Sequence, residues 1–313
     1  MSFLTNLKYD SVVITGPTAT GKSAAAIDVV NNFASKSIKS AIINADSKQI
    51  YASVPIITAQ PNCHDLKACQ HYLYGFYTNK EALQHRYSVA KWFFAVKDLC
   101  LSLKLQGIVP IIVGGSGFYI EALTQGLQNL PELNLEHQLK ASNALRDMGH
   151  QALLDHVKTL DQSTPSDPYR LVKNYAYLLQ FNRSISSYFN EPRHQAGLSP
   201  LKIALLPPRE LIYKECNQRL DKMLQDGLLQ EVKAIIDGEA EVCDAIKTTS
   251  GFCHIEAYLK GNITLDECME KSKQDTRNYA KRQTTWIKNR LADKNFTICP
   301  SKQELCKLVL HCF

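Results

Sequence analysis

The chain has 313 residues, of which 45% are hydrophobic and 21% are charged, a composition that excludes a disordered chain. Its net charge of +6 is modest, and its length suffices for one large domain or two smaller ones. No apolar run approaches the roughly 18 residues of a membrane helix, and no secretion signal precedes the first strand, so we expect a soluble cytoplasmic protein without membrane contact.

The first third of the sequence alternates between strand and helix patterns. Short β-branched runs predict strands over residues 11–15, 41–45 and 109–113. Helical sequence over residues 22–33 and 88–106 separates them. Strands that alternate with helices indicate crossover connections, and therefore an α/β fold with a parallel sheet.

The middle of the chain has a different character. Between residues 125 and 195 the sequence is polar, helix-leaning and broken by prolines, and a further strand is predicted over residues 201–206. We predict a core of residues 1–124 and 197–313, which ends in C-terminal helices, and a helical insertion subdomain over residues 125–196.

Basic residues are concentrated near the C-terminus. Residues 271–290 contain seven Lys and Arg side chains and a single acid, Asp275, so this segment alone accounts for the net charge of the chain. Such a stripe indicates binding to phosphate or nucleic acid, although a solvated helix face has the same composition.

The ten cysteines include no C-x-x-C pair. A zinc site from Cys243, Cys253, His254 and Cys268 lacks the short ligand pairs of structural zinc sites. We expect reduced thiols that pack as small apolar side chains.

One motif, G-x-x-x-x-G-K-[ST], lies between the first predicted strand and the helix that follows it. This position and pattern indicate a phosphate-binding loop. Backbone N–H groups of such a loop surround phosphate oxygens, the lysine neutralises a phosphate, and the hydroxyl can ligate Mg²⁺. An ordinary glycine turn before a helix is the alternative. The motif predicts a P-loop NTPase-like parallel sheet flanked by helices, with a di- or polyphosphate bound by Gly16, Pro17, Thr18, Ala19, Thr20, Gly21, Lys22 and Ser23, and Mg²⁺ held by Ser23.

The P-loop does not reveal which bond breaks. In a kinase or ATPase an acid after a neighbouring strand holds Mg²⁺, and Asp46 follows the second predicted strand. The same carboxylate could instead accept a proton from an attacking group.

Further motifs make the sequence similar to the tRNA dimethylallyltransferase, or isopentenyl-tRNA transferase, family, in family order over nearly the whole chain. They are the P-loop, residues 44–51 (NADSKQIY), 58–61 (TAQP), 87–89 (YSV), 114–120 (GGSGFYI), the pattern from Arg219 to Val232, and that from Arg277 to Trp286.

The resemblance implies transfer of a dimethylallyl group from dimethylallyl diphosphate to N6 of adenosine 37, beside the anticodon, in tRNAs that read codons beginning with U. It implies Asp46 as the proton acceptor. Lys22 and Arg219 would stabilise the departing diphosphate together with Mg²⁺, and Ser116 would supply a hydroxyl where the family usually has Thr.

The resemblance also implies a monomer that binds the tRNA anticodon stem-loop. The implied tRNA contacts fall in three groups: the loop after the second strand, the insertion and the basic segment. They are Asp46, Ser47, Lys48 and Gln49; Tyr169, Arg170 and Lys173; and Lys281, Arg282 and Gln283.

The sequence departs from the family pattern at several positions. Lys48 replaces an arginine, Gln60 a lysine, and Tyr72 a histidine, while His254 stands where glutamate or glutamine is usual. The insertion is the most divergent part.

Two other activities share the P-loop: prenylation of free AMP, ADP or ATP, which needs no basic arm, and phosphoryl transfer by a small-molecule kinase.

Overall fold

The structure, a computed structural model, describes residues 8–84, 87–238, 241–291 and 294–313. Its strands are β1 (Ser11–Thr15), β2 (Ser40–Asn44), β3 (His71–Tyr72), β4 (Val109–Gly114), β5 (Pro200–Leu205) and β6 (Thr297–Cys299). They form one sheet in the order β3-β2-β4-β1-β5-β6, with every pair parallel. The predicted parallel α/β sheet is therefore confirmed.

The central strands are buried on both faces, which explains why they read as continuous apolar runs rather than alternating ones. Every residue of β1 and β4 is buried, and Ile14 pairs with Val113 in register. The strands predicted at residues 41–45 and 201–206 each begin one residue earlier than expected.

The two edge strands, β3 and β6, were not predicted. They are two and three residues long, and β3 is only partly buried. Such short segments lack the apolar periodicity on which sequence reading depends.

Helices flank the sheet and build the C-terminal region. They are α1 (Lys22–Ser35), α2 (Cys63–Ala68), α3 (Asn79–Gln84), α4 (Val89–Leu105), α5 (Gly117–Gln125), α6 (Leu135–Met148), α7 (His150–Leu160), α8 (Pro168–Phe181), α9 (Arg209–Gln225), α10 (Leu228–Gly238), α11 (Asp244–Lys247), α12 (Phe252–Leu259), α13 (Leu265–Arg290) and α14 (Lys302–Cys312). In the described parts of the chain, none of them has the length and apolarity to cross a bilayer.

The chain divides into two compact units, Met1–Gln125 with Ala196–Phe313, and Gly126–Gln195. In the first unit, one hydrophobic cluster joins the sheet to α1 and α14. A second cluster joins the segment after β2 to α9, α10, α12 and α13.

The second unit contains α6, α7, α8 and a 3₁₀ turn at Ile185–Tyr188. All its residues are described, and its only β pairing is an isolated bridge between Leu127 and His194. Its core is small and includes Leu153, Val157 and Leu171.

The longest helix among the described residues, α13, spans 26 residues and contains the basic segment, residues 271–290. A capping box fixes its start: the Thr264 side chain accepts from the N–H of Glu267, whose carboxylate accepts from the N–H of Thr264. It packs against α9, α12 and α5. One helix therefore connects the C-terminal region with the loop that follows β4.

Candidate active site

The carboxyl ends of β1, β4 and β2 lie side by side, because β4 pairs with both of the other strands. The loops that follow them are residues 16–21 after β1, residues 45–49 after β2, and residues 115–116 after β4. Ligands of open α/β sheets bind at this edge. These three loops therefore frame the candidate active site.

The P-loop, residues 16–23, depends on its two glycines. A Cβ on Gly16 would lie 2.5 Å from the carbonyl oxygen of Leu205, and Gly21 has a φ of 80°. Gly21 is the N-cap of α1, and its end of the helix has no side-chain cap. Amides at a helix N-terminus attract anions, so the loop suits a phosphate group.

Two cationic side chains approach this loop, and the first is Lys22. Its Nζ donates a 2.6 Å hydrogen bond to the carbonyl oxygen of Pro17. Burial lowers the pKa of Lys22 to about 8; the charge of Asp46 opposes this shift and that of Arg219 adds to it. Lys22 is therefore protonated at neutral pH but loses its proton under mildly alkaline conditions.

The second cation is Arg219 on α9. Its Nη2 donates a 2.6 Å hydrogen bond to Oγ1 of Thr18 in the P-loop. Burial lowers the pKa of the guanidinium, and the charge of Asp46 is among the effects that oppose the shift; a guanidinium stays charged at neutral pH all the same. Two positive charges and a helix N-terminus together favour a polyanion.

Asp46 is half-buried after β2. Its N–H donates to Oδ1 of Asn44 at 2.7 Å, and its Oδ1 accepts from the N–H of Lys48 at 2.9 Å, so the carboxylate has a fixed orientation. Its negative charge influences the pKa values of Lys22 and Arg219. A carboxylate held beside cations in this way can accept a proton from a nucleophile bound next to the P-loop.

Two tyrosines are influenced by the charge of the same carboxylate. Burial raises the pKa values of Tyr74 and Tyr279, and the charge of Asp46 raises them further. Both phenols therefore stay protonated and offer flat apolar surfaces and hydrogen-bond donors, not proton acceptors. Tyr279 lies on α13, with the guanidinium carbon of Arg282 5.7 Å from its ring centroid.

The hydroxyl of Ser116 connects the loops after β4 and β2. Its Oγ accepts from the N–H of Ser47 at 2.8 Å and donates to Oγ of Ser47 at 3.1 Å, while its N–H donates to the carbonyl of Ala45 at 3.2 Å. A Cβ on Gly114 would lie 2.1 Å from that carbonyl. The two loops therefore approach each other closely enough to require glycine at position 114.

Gln283 on α13 joins the P-loop to the glycine turn. Its Oε1 accepts from the N–H of Thr18 at 2.7 Å, and its Nε2 donates to the carbonyl of Gly115 at 2.9 Å. The side chain is only 7% exposed. Trp286, one turn further along, packs so closely on Gly117 that a Cβ there would lie 2.6 Å from its ring. These contacts fix the position of α13 against two of the loops that frame the candidate active site.

Two further residues of the predicted tRNA-binding set hold neighbouring segments. Nζ of Lys48 donates to the carbonyl of Ala245 and to Oγ1 of Thr248, and Nε2 of Gln49 donates to the carbonyls of Thr58 and Ala59. The structure thus gives both side chains roles in shaping the loops, and their contact with tRNA stays a prediction.

The remaining predicted tRNA contacts lie on helix surfaces. Lys281 and Arg282 are exposed on α13 and line an open groove. In the second unit, Tyr169 and Arg170 are exposed and Lys173 is half-buried on α8. That helix begins where the Asp167 side chain accepts from the N–H of Arg170 at 2.9 Å.

Sequence reasoning assigned no role to Glu231, although this residue belongs to a quoted motif. Its carboxylate accepts from the N–H groups of Ile56 and Ile57 at 2.6 and 2.9 Å, and so fixes the segment that Gln49 also holds. The spacing in the motif signals a helix position but not its partner, which lies 175 residues away.

Comparisons with known proteins point to one family. The sequence profile of the IPP transferase family matches residues 49–290. A tRNA dimethylallyltransferase from Rickettsia canadensis is 33% identical over 315 residues, which cover 98% of this chain and 93% of that protein.

Solved structures agree. A tRNA delta(2)-isopentenylpyrophosphate transferase from Staphylococcus epidermidis has a TM-score of 0.65 and 26% identity, covering 96% of this chain and 97% of its own. A eukaryotic dimethylallyltransferase acting on tRNA has a TM-score of 0.77 over 94% of this chain and 74% of its own, and at 23% identity it supports the fold alone.

The bridging position of Gln283 predicts a loss of stability when its amide is removed. Gln283→Leu leaves the N–H of Thr18 and the carbonyl of Gly115 without their partner, and should lower the free energy of unfolding by about 1–3 kcal/mol. Gln274→Leu, at an exposed position on the same helix, is the matched control and should change it by less than about 0.5 kcal/mol. Urea unfolding measures both, and equal stability of the two variants would contradict the bridging role.

Proposed function

The chain belongs to the IPP transferase family, whose relatives include the tRNA dimethylallyltransferases, and on this premise we propose its reaction. It transfers a dimethylallyl group from dimethylallyl diphosphate to N6 of adenosine 37, next to the anticodon, in tRNAs that read codons beginning with U. The observation that carries this proposal is the fixed carboxylate of Asp46 beside a P-loop with two cations, Lys22 and Arg219.

The P-loop holds the diphosphate of the electrophile. When the allylic C–O bond breaks, negative charge develops on the departing diphosphate oxygens. The α1 N-terminus, Lys22 and Arg219 stabilise that charge because they are already in place before it forms. This is differential stabilisation, since the diphosphate is more negative as a leaving group than as an ester.

Mg²⁺ fits the donor set of the same loop. Mg²⁺ prefers oxygen ligands, keeps several waters and is usually held through substrate phosphates and a few protein groups. Ser23, the second residue of α1, has an exposed hydroxyl and would be the protein ligand. When bound, the ion neutralises charge on the diphosphate.

Asp46 acts on the acceptor. The exocyclic amine of adenine is a poor nucleophile because its lone pair is delocalised into the ring. As the N6–C bond forms and the C–O bond to diphosphate breaks, Asp46 accepts the proton that N6 loses. Ser116, which is hydrogen-bonded to Ser47, holds a hydroxyl at the same end of the sheet to orient the acceptor.

The tRNA meets the exposed basic surface of α13. Lys281 and Arg282 contact phosphates of the anticodon stem-loop, and Tyr169, Arg170 and Lys173 of the second unit contribute to tRNA binding. Adenosine 37 leaves its stack to reach Asp46, at a cost of a few kcal/mol that is lowest in a single-stranded loop. We also propose that the chain acts in the cytoplasm and as a monomer.

The first test measures transfer itself. The protein is incubated with dimethylallyl diphosphate, Mg²⁺ and an anticodon stem-loop that carries an adenosine run, with AMP and ATP as competing acceptors. Mass spectrometry should find a five-carbon adduct on the RNA only.

The role of Asp46 predicts a loss of activity on substitution. Asp46→Asn should lower kcat by about 10²–10⁴-fold, because it removes the proton acceptor while keeping the shape of the side chain.

Asp98→Asn, an exposed change on α4, is the control and should retain the activity. Diphosphate binding should survive in Asp46→Asn, since a negative charge near the anion is removed. Adducts on AMP or ATP would favour the free-nucleotide activity, release of phosphate from ATP would favour a kinase, and full turnover by Asp46→Asn would refute its role.

The lowered pKa of Lys22 predicts that diphosphate affinity depends on pH. The ammonium group is present below its pKa of about 8 and disappears as the pH rises through that value, so affinity for inorganic diphosphate should fall above it, by at most about tenfold per pH unit. Lys22→Arg keeps its charge and controls for ionisation of the ligand. Calorimetric titrations from about pH 7 to about pH 9.5 give the ratio of the wild-type affinity to the affinity of Lys22→Arg at each pH. A ratio that does not change with pH would contradict the prediction.

The proposed phosphate contacts predict the salt dependence of RNA binding. Lys281→Ala with Arg282→Ala should weaken binding and reduce the slope of log K against log salt by about 1–2, as expected when two phosphate contacts are lost. The swap Lys281→Arg with Arg282→Lys retains both charges and should retain the slope. An unchanged slope in the double alanine variant would assign these residues to structure alone.

A further inference from the structure

Three side chains with metal-binding atoms meet where α12 packs against α13. Cys253 and His254 lie in the first turn of α12, and Asp275 lies in the first half of α13. One donor atom from each lies within 4.8 Å of the other two. His254 Nε2 and Asp275 Oδ2 are already 2.9 Å apart.

These separations suit a single ion. Zinc is bound by nitrogen and oxygen at about 2.0–2.2 Å and by sulfur at about 2.3 Å in a tetrahedral arrangement, so ligand atoms lie roughly 3–4 Å apart. The sulfur lies within 4.8 Å of the other two atoms, so binding of an ion requires it to approach them by at most about 2 Å. The nitrogen and oxygen need almost no movement.

The backbone around the three residues is held by close helix packing. Gly251, which precedes α12, has a φ of 89°, and a Cβ there would lie 3.3 Å from the side chain of Ser272 on α13. Oγ of Ser250 and Oγ1 of Thr276 are 3.4 Å apart. A fixed backbone positions ligands before the ion arrives, which favours binding.

The three residues are also accessible. Cys253 is exposed, and the side chains of His254 and Asp275 keep 24% and 45% of their surface. An ion can therefore enter from solvent, and water can complete its coordination. Asp275 is the single acid within the basic segment of α13, and its carboxylate contacts the imidazole of His254.

We propose that Cys253, His254 and Asp275 bind one transition-metal dication, with zinc as the favoured ion. Thiolate, imidazole and carboxylate together suit this borderline-soft metal. Binding forms a sulfur–metal bond and releases the thiol proton to water. The ion links α12 to α13, the helix that holds Gln283 and Trp286 against the catalytic loops. The proposed ligands differ from the zinc ligands considered in the sequence analysis: Asp275 is added, and Cys243 and Cys268, which are buried, are left out.

Cobalt substitution tests the site on the intact protein. Titration of the metal-free chain with Co²⁺ should give one ion per chain and a thiolate-to-cobalt absorption band in the near ultraviolet. Cys253→Ser should lose this band. Cys63→Ser, which changes another exposed free cysteine, is the matched control and should retain it.

Two further variants separate the ligands from a general loss of structure. His254→Gln, which restores a residue usual in the family, and Asp275→Asn should each weaken Co²⁺ binding by more than about tenfold, since loss of even an outer partner costs that much. Circular dichroism confirms that each variant is folded. Zn²⁺ should displace Co²⁺ and raise the melting temperature of the wild type but not of Cys253→Ser.

A wild-type chain without the absorption band at excess Co²⁺ would overturn the proposal and leave His254 and Asp275 as a simple ion pair. An identical band in Cys253→Ser would overturn it as well. Neither result bears on the proposed transfer reaction, because none of the three residues belongs to the candidate active site.

Discussion

The site depends on one constraint: the carboxyl ends of β1, β4 and β2 are neighbours in a parallel sheet. This places an anion-binding loop, a carboxylate and a glycine turn within one small region. Asp46 carries a negative charge near Lys22 and Arg219, and it influences the pKa values of both. In the proposed reaction, an allylic diphosphate bound there would present its leaving group to the cations, and the nucleophile would lie next to the carboxylate.

Helix α13 contacts two of the loops that frame this site, and its other face carries basic side chains. Its buried face supplies Gln283, whose amide binds both the P-loop and the glycine turn, and Trp286, which packs on Gly117. Its exposed face supplies Lys281 and Arg282. A single helix therefore has one side whose positive charge suits phosphates and another side that contacts the loops of the candidate site.

The sequence predicted those parts of the molecule that local pattern determines. The P-loop, the buried strands and the helical character of the insertion follow from glycine spacing and apolar runs over adjacent residues. The edge strands β3 and β6 are too short for such a pattern. The bridge made by Gln283 joins residues 265 apart, and Glu231 binds a segment 175 residues away, so neither partner is visible in local sequence. A motif signals that such a residue matters, but only the fold shows what it touches.

The central claim is that the P-loop receives an isoprenoid diphosphate and not a nucleotide. Calorimetric titration with a non-reactive thiodiphosphate analogue of dimethylallyl diphosphate, in the presence of Mg²⁺ and with ATP as competitor, tests it directly. We expect one analogue molecule to bind per chain, Lys22→Ala to abolish that binding, and ATP to leave it unchanged. Tight binding of ATP, with no affinity for the analogue, would contradict the account.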